Sequence, residues 1–321
     1  MPSLGIMTAA VPVPGSPEWL RPLGTTGLTV SAIGAGGGPL GGMPDARQAI
    51  GLVRHLLDSP IRVIDTSNGY SDGASEKRIG AGIAQHGGLP DGYLIATKVD
   101  ARGGDYSGAR IRDSIHESQD RLGLETFPLV HLHDPEYHPE AGFDLPGGAI
   151  EALVALRDEG VIEHLGIGAG HTPTIERLLD LGVFEVVLTH SRLTLLDRGA
   201  DALVQRAHEA GIGVMNAGIL GSGMLESRGG ERYGYRPARP EVREAAQRLH
   251  DLADESGVDL PTAAVVASLR DPRIDATLVG STNPARFDAM LTAIAAPIPD
   301  EFWERAAALL PEPSVWLDAE R

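Results

Sequence analysis

Four residues in the first half of the chain have side chains suited to acid–base chemistry: Asp65, Tyr70, Lys98 and His133. Free tyrosine has a pKa of about 10, too high for proton transfer near neutral pH. A nearby lysine ammonium stabilises the phenolate and lowers that pKa, and a carboxylate paired with the lysine keeps the lysine charged. With a neutral imidazole to position the substrate oxygen, such a group could polarise a carbonyl or deprotonate an alcohol without a metal. It would need a hydride carrier to complete the reaction.

Each of these residues also has an ordinary structural explanation. Asp65 could cap a turn, and Lys98 could be a surface lysine. His133 could be a core histidine whose hydrogen bonds are satisfied, and Tyr70 a loop aromatic. Their placement favours a catalytic role. Three of them end consecutive β-like runs, VID, ATK and HLH, and Tyr70 lies in the loop after the first run.

The elements that would carry these residues alternate regularly along the chain. Short apolar runs, each followed by a helical pattern, predict a parallel sheet covered on both faces. Eight such units in a chain of 321 residues predict a closed α/β fold, the (β/α)8 TIM barrel, rather than an open doubly wound sheet. The predicted strands are Val30–Gly34, Arg62–Asp65, Tyr93–Lys98, Pro128–His133, His164–Gly168, Phe184–Leu188, Gly213–Ala217 and Thr277–Gly280.

We predict one barrel domain over residues 21–321, with an N-terminal extension over residues 1–20 and helices at the C-terminal end. The segment Pro22–Val30 is typical of a hairpin that could plug the N-terminal mouth of the barrel. The glycine-rich run Gly34–Gly42 is predicted to be a flexible loop. Since the chemistry of such barrels sits at the C-terminal ends of the strands, Asp65, Lys98 and His133 should meet at one rim.

Composition limits the function classes. The formal net charge of −17 repels phosphate backbones, so we predict no nucleic-acid partner. The acid–base chemistry described above predicts a small-molecule substrate instead. No basic amphipathic segment, secretory signal or apolar run of about 20 residues indicates a membrane. Without cysteine, disulfides and zinc–thiolate sites are excluded, and we predict a cytoplasmic protein. No His, Asp and Glu set has metal-ligand spacing, so no metal is predicted.

The segments VIDTSNGYSDGASE, ATK and HLHDPE resemble the catalytic tetrad segments of the aldo-keto reductases. The resemblance covers almost the whole chain, from PLGTTGLTVS to TLVGSTNPARF. It implies a (β/α)8 barrel, NADP or NAD bound in extended form across the rim, and hydride transfer with Tyr70 as the acid–base group.

The chain departs from the family where most members bind the nicotinamide. Gly168-Ala169 and His190 stand at the usual Ser-Asn and Gln positions, and Ala217 or a neighbour stands in place of the stacking aromatic. Together with LGIGAG, LTHSRLTLLD and VMNAGILGSGML, these departures resemble the sugar 1-dehydrogenase branch. That branch includes the L-fucose, D-threo-aldose and L-galactose dehydrogenases and pyridoxal 4-dehydrogenase. It implies oxidation of a cyclic hemiacetal to a lactone.

The resemblance also implies where the rest of the cofactor binds. The phosphate end would meet Gly280, Ser281 and Thr282, with Arg286 near the adenosine 2′ position. Gly221, Ser222 and Gly223 would cover the pyrophosphate. Of two family contacts to a 2′-phosphate, the arginine is kept as Arg286, whereas Gly280 stands in place of the frequent lysine. The sequence therefore does not decide between NAD and NADP. The loop Glu226–Arg239 could fold over the cofactor or be a flexible insert.

Three alternatives to a sugar dehydrogenase stay open. One is a general NADPH-dependent aldehyde or ketone reductase. Another is a lyase in which Lys98 forms a Schiff base, although the acid at Asp65 argues against it. The third is a nucleotide-binding regulator without catalysis. His131 is predicted to face the opposite side of its strand from His133 and to be structural.

Overall fold

The computed structural model describes residues 10–139 and 141–319. Eight parallel strands close into a barrel, which confirms the predicted (β/α)8 fold. Around the barrel the eight strands follow one another in chain order, and the last pairs with both the first and the seventh. The strands outside the barrel are β1 (Leu20–Pro22), β2 (Thr29–Ser31), β10 (Arg232–Tyr233) and β11 (Arg236–Pro237). The barrel strands are β3 (Ile33–Gly36), β4 (Val63–Asp65), β5 (Leu94–Val99), β6 (Phe127–His133), β7 (Ile162–Ala169), β8 (Val186–His190), β9 (Gly213–Ala217) and β12 (Ala276–Val279).

The helices pack around the outside of the barrel through amphipathic faces. Several begin at a side-chain cap, as when Asp45 accepts from the backbone N–H of Arg47 and Asn283 from that of Ala285. None of the described helices combines the length and apolar character that crossing a membrane requires. The helices are α1 (Gly38–Gly42), α2 (Ala46–Asp58), α3 (Ala74–His86), α4 (Gly108–Leu122), α5 (Ala149–Asp158), α6 (Thr172–Leu179), α7 (Asp201–Glu209), α8 (Pro240–Ser256), α9 (Leu260–Leu269), α10 (Pro284–Ala293) and α11 (Asp300–Ala307).

The predicted N-terminal hairpin is present and closes one mouth of the barrel. Strands β1 and β2 pair antiparallel, and Leu23 and Val30 pack into the same apolar cluster as the barrel interior. Of the predicted extension over residues 1–20, residues 1–9 lie outside the described residues. Trp19 is buried, and its indole N–H donates to the carbonyl oxygen of Pro60 at 2.9 Å. The end of the extension is therefore anchored to the core.

Two predictions near the N-terminus are wrong: the bounds of the first barrel strand and the loop assigned to the glycine-rich run. The first barrel strand is Ile33–Gly36, because Val30 belongs to the hairpin strand β2 and the chain turns into the barrel only after Ala32. The run predicted to be a flexible loop contains helix α1. Leu40 of this helix is buried, and Arg78 donates to the carbonyl oxygens of Leu40 and Gly41. Burial and these hydrogen bonds outweigh the flexibility of the glycines.

Alternation along the strands decides which side chains enter the barrel. Val63, Ala96 and Leu129 lie in the interior cluster, and successive residues of a strand point to opposite faces. Asp65 and Lys98 each lie two positions beyond an interior residue, so they point inward at the rim. On β6, His131 and His133 share the interior face, so the prediction that His131 faces away is wrong. Gly166 leaves the space for His131, since a Cβ there would lie 2.2 Å from its Nδ1.

Candidate active site

The structure brings the four predicted catalytic residues together at the C-terminal rim. Lys98 Nζ lies 2.6 Å from Asp65 Oδ2 and 3.2 Å from the hydroxyl oxygen of Tyr70. It also donates to the carbonyl oxygen of Thr66 at 2.8 Å. The His133 ring packs edge-on against the Tyr70 ring, with 5.5 Å between the ring centres. Acid, ammonium, phenol and imidazole therefore form one contact group.

Lys98 is held as a buried ammonium. Burial acts to lower the pKa of Lys98, but the charges and hydrogen bonds of Asp65 and Tyr70 outweigh burial and raise it. A lysine must be neutral to attack a carbonyl, so this environment argues against the Schiff-base alternative.

The pKa of Tyr70 differs from the prediction. Burial raises the pKa of Tyr70 to about 12, and the opposing effect of Lys98 only partly offsets it. The prediction that the ammonium gives this phenol a net lowered pKa is wrong for the protein alone. The reason is desolvation, because the free-energy cost of removing the phenolate from water exceeds the stabilisation that one ion-paired lysine provides.

Asp100 is a site residue that the sequence reasoning missed. Its Oδ1 lies 2.5 Å from Nδ1 of His133. The same carboxylate accepts from the hydroxyl of Ser67 and from the backbone N–H of Gly69. Asp100 follows Lys98 by two positions, so the period of the strand was a signal that could have placed it on the same face.

The ionisation of His133 is governed by its carboxylate neighbours. Burial acts to lower the pKa of His133, but Asp100, through its charge and hydrogen bond, outweighs burial, and Asp134 adds to the rise. Burial acts to raise the pKa of Asp100, but the charge and hydrogen bond of His133, with the hydrogen bonds from Ser67 and Gly69, outweigh burial and lower it. The imidazole is shifted toward its charged form, opposite to the neutral imidazole expected.

A cavity of about 370 Å³ opens directly on these residues. Gly168, His190 and Ala217, three of the predicted cofactor-binding residues, line it together with the tetrad. Burial, reinforced by Arg192, lowers the pKa of His190 to about 3, so its ring is neutral. Further lining residues that the sequence reasoning did not single out are Gly69, Asp100, Asp134, Tyr137, Leu188 and Tyr235.

A second cavity of about 540 Å³ lies between the loop after β9 and the start of α10. Gly280, Ser281 and Arg286, which are predicted to bind the cofactor, line this cavity, and Glu226 faces them from the loop, with its carboxylate in contact with the Arg286 guanidinium. Thr282 lies in the bend before the helix cap. Gly221, Ser222 and Gly223 lie in the turn after β9 and all have positive φ angles.

The loop Glu226–Arg239 contains the small hairpin β10–β11, whose turn carries Tyr235 to the first cavity. The Tyr235 ring packs edge-on against His190, with 5.4 Å between the ring centres. Tyr233 is buried, and its hydroxyl donates to the carbonyl oxygen of Ser191 at 2.8 Å. The loop is therefore packed against the first cavity, and that it folds over the cofactor stays a prediction.

Asp134, Glu136 and His190 form a cluster at the cavity edge, with one potential ligand atom of each within 4.8 Å of the others. One oxygen of Glu136, Oε1, accepts from the backbone N–H groups of Gly170 and His171, whereas the other, Oε2, is buried without a hydrogen-bond partner. The absence of a metal from this site stays a prediction.

The chain is similar to known proteins over most of its length. The model of the Aldo/keto reductase family matches residues 32–311. Pyridoxal 4-dehydrogenase of Microbacterium luteolum is 31% identical, over 88% of this chain and 95% of that protein. L-galactose dehydrogenase of Arabidopsis thaliana is 31% identical, over 86% of this chain and 88% of that protein. D-threo-aldose 1-dehydrogenase of a Pseudomonas species is 28% identical, over 89% and 97%.

Among solved structures, an aldo-keto reductase of Bacillus halodurans in its holo form has a TM-score of 0.75. It covers 94% of this chain and 99% of its own, at 23% identity. At this identity the likeness concerns the barrel fold.

Proposed function

Because the chain belongs to the aldo/keto reductase family, and is thereby an oxidoreductase of alcohol or carbonyl groups, we propose that it oxidises the hemiacetal carbon of a sugar-like substrate to a lactone. The observation that carries the proposal is the Tyr70 hydroxyl, held 3.2 Å from the Lys98 ammonium and facing the first cavity. The similar proteins named as aldose and pyridoxal dehydrogenases support the direction and the substrate class.

Aldo-keto reductases use nicotinamide cofactors, and features of this structure fit one. The buried Nδ1 of His190 has no hydrogen-bond partner, so an amide group could supply one. The second cavity borders the N-terminus of α10, where backbone N–H groups favour an anion. We propose that Gly168, His190 and Ala217 hold the nicotinamide end. The other proposed contacts are Gly221, Ser222, Gly223, Gly280, Ser281, Thr282 and Arg286.

A bound nicotinamide would supply the hydride acceptor for oxidation and the hydride donor for reduction. In the oxidative direction, Tyr70 takes the proton from the substrate hydroxyl, and Lys98 stabilises the phenolate that receives it. Asp65 keeps Lys98 charged at a depth where a lone ammonium would lose its proton. His133 positions the substrate oxygen beside Tyr70.

The cavity wall suits a neutral polyhydroxylated molecule. The Asp134 carboxylate can accept hydrogen bonds from hydroxyl groups, and the rings of Tyr137 and Tyr235 offer apolar faces with polar edges. Carboxylates at this wall would repel an anionic substrate such as a sugar phosphate.

The first test is an assay of the purified protein with NAD⁺ and with NADP⁺ against L-fucose, D-arabinose, L-galactose, pyridoxal and simple alcohols. We expect turnover with at least one hemiacetal, seen as absorbance of the reduced nicotinamide. Release of a lactone, identified by mass spectrometry, would fix the reaction. Turnover of simple alcohols alone would contradict the substrate class.

A second candidate function is reduction of aldehydes or ketones. It is favoured by the protonation state of Tyr70, because burial raises its pKa to about 12 and the hydroxyl therefore carries at neutral pH the proton that a reduction consumes. Activity with carbonyl compounds and NADPH, together with silence toward every hemiacetal, would make this the function.

We further propose that the protein prefers NAD to NADP. The Glu226 carboxylate pairs with Arg286 at the edge of the second cavity, where it can accept from a ribose 2′-hydroxyl but would repel a 2′-phosphate. Glu226→Ala should raise the ratio of kcat/KM for NADP⁺ to that for NAD⁺ by at least about tenfold, because it removes a like charge and frees the arginine.

The matched control is Glu231→Ala, an exposed glutamate of the same loop, which should leave the ratio unchanged. A wild-type preference for NADP⁺, or equal ratios in both variants, would contradict the assignment of Glu226.

A further inference from the structure

Asp100 has no role in the tetrad, yet it is among the most firmly held side chains of the site. Its Oδ2 accepts from the backbone N–H of Gly69 at 2.8 Å and from the Ser67 hydroxyl, and its Oδ1 lies against His133. The loop is shaped for this approach, because a Cβ at Gly69 would lie 2.9 Å from the Asp100 carboxyl group. All three partners converge on one carboxylate, so its position is defined.

These contacts decide which edge of the His133 ring meets the substrate. Nδ1 is taken by Asp100, with the Ser67 hydroxyl 3.2 Å away. The other nitrogen, Nε2, has a carboxylate oxygen of Asp134 at 3.7 Å, beyond hydrogen-bond distance. The backbone is held as well, since the Tyr106 hydroxyl donates to the carbonyl oxygen of His133 at 2.7 Å. Nε2 is therefore the nitrogen available to a substrate oxygen.

We propose that Asp100 is a positioning residue that keeps the His133 imidazole charged and directs its Nε2–H toward the substrate oxygen. This inference rests on the proposed function, because it concerns the same cavity. A charged donor polarises a carbonyl more strongly than a neutral one and stabilises negative charge that develops on the oxygen. It also gives the substrate oxygen a fixed place beside the Tyr70 hydroxyl.

The groups around His133 support this assignment. Burial and the Lys98 ammonium disfavour the imidazolium, but the two carboxylates, Asp100 and Asp134, outweigh them and raise the pKa of His133. The charge of Lys98 is paired with Asp65 at 2.6 Å. The remaining neighbours are neutral, because burial lowers the pKa values of His131 and His190 and the Tyr70 phenol is protonated at neutral pH. Asp100 is the carboxylate in hydrogen-bond contact, so its charge has the larger effect.

NMR of the ¹⁵N-labelled full-length protein tests the charge directly, with His133→Asn used to assign the imidazole signals. We expect His133 in the wild type to titrate above the ordinary histidine pKa of about 6.5. Asp100→Asn keeps the shape but removes the charge, so it should lower the midpoint by at least about one pH unit. The control Asp134→Asn should lower it less.

A wild-type midpoint at or below the ordinary value would overturn the proposal, and this outcome does not depend on whether the Asp100 variant folds. The proposal also fails if Asp134→Asn shifts the midpoint more than Asp100→Asn does. Because the titration requires no turnover, it gives its answer even if every substrate of the assay fails.

Kinetics separate positioning of a charge from mere support of the fold. For reduction of a simple aldehyde, kcat/KM should fall about tenfold per pH unit above the His133 midpoint, because the charged donor is lost. In Asp100→Asn this fall should begin at a lower pH, displaced by the same amount as the NMR midpoint. An equal loss of activity at every pH would indicate a structural role and overturn the proposal.

Discussion

Tyr70→Phe should reduce kcat by at least about 10²-fold, the loss expected when a general acid–base group is removed. The phenylalanine ring fills the same space against His133, whereas the hydroxyl that lies 3.2 Å from Lys98 Nζ is lost. Cofactor affinity should change little, since the cofactor contacts proposed above come from other strands. Steady-state kinetics together with cofactor titration by fluorescence would separate loss of chemistry from loss of binding.

The matched control is Tyr93→Phe. Tyr93 is also buried, but its hydroxyl reaches the carbonyl oxygen of Leu56 at 3.4 Å, a contact to helix α2 outside the site. This variant should keep wild-type kcat. If Tyr70→Phe kept wild-type kcat as well, Tyr70 would not be the acid–base group.

Lys98→Met should have the largest effect on stability. It removes the partner of Asp65, which is 4% exposed and lies 2.6 Å from the ammonium. Breaking a buried ion pair on one side costs about 3–5 kcal/mol, because the remaining charge stays buried without compensation. Urea unfolding at pH 8 should show this loss, and kcat should fall with it, since the phenolate of Tyr70 loses its stabilising charge.

The pH dependence of the stability loss tests whether the unpaired charge of Asp65 causes it. Burial raises the pKa of Asp65, and Lys98 is the main opposing influence, so without the lysine the folded state should bind a proton more tightly than the unfolded chain. Lowering the pH then stabilises the folded variant, and the deficit of Lys98→Met should be smaller at pH 5 than at pH 8.

The double variant Asp65→Asn with Lys98→Met carries no buried charge at either position and should be more stable than Lys98→Met alone. A Lys98→Met variant as stable as the wild type, or a deficit that grows as the pH falls, would show that the pair is not the buried ion pair described here.

Much of the fold and the core of the site could be predicted from the sequence because they depend on short-range regularities. Strand-then-helix alternation is written in segments of a few residues, and it predicted the closed barrel. Asp65, Lys98 and His133 each end a strand, so the barrel geometry brings them to one rim without detailed knowledge of packing. The alternation of side chains along a strand also indicates the faces of Asp100 and His131. The sequence analysis did not single out Asp100, and it placed His131 on the wrong face.

Other features were decided by the tertiary structure alone. The Asp100–His133 and Glu226–Arg286 contacts join residues that are 33 and 60 positions apart, and no local pattern specifies such pairs. The raised pKa of Tyr70 depends on how completely its neighbours exclude water, a property of the packed whole. Residue types and their order thus determined the fold and the chemical groups available. Burial and long-range pairing decided how those groups are charged and which of them face the cavity.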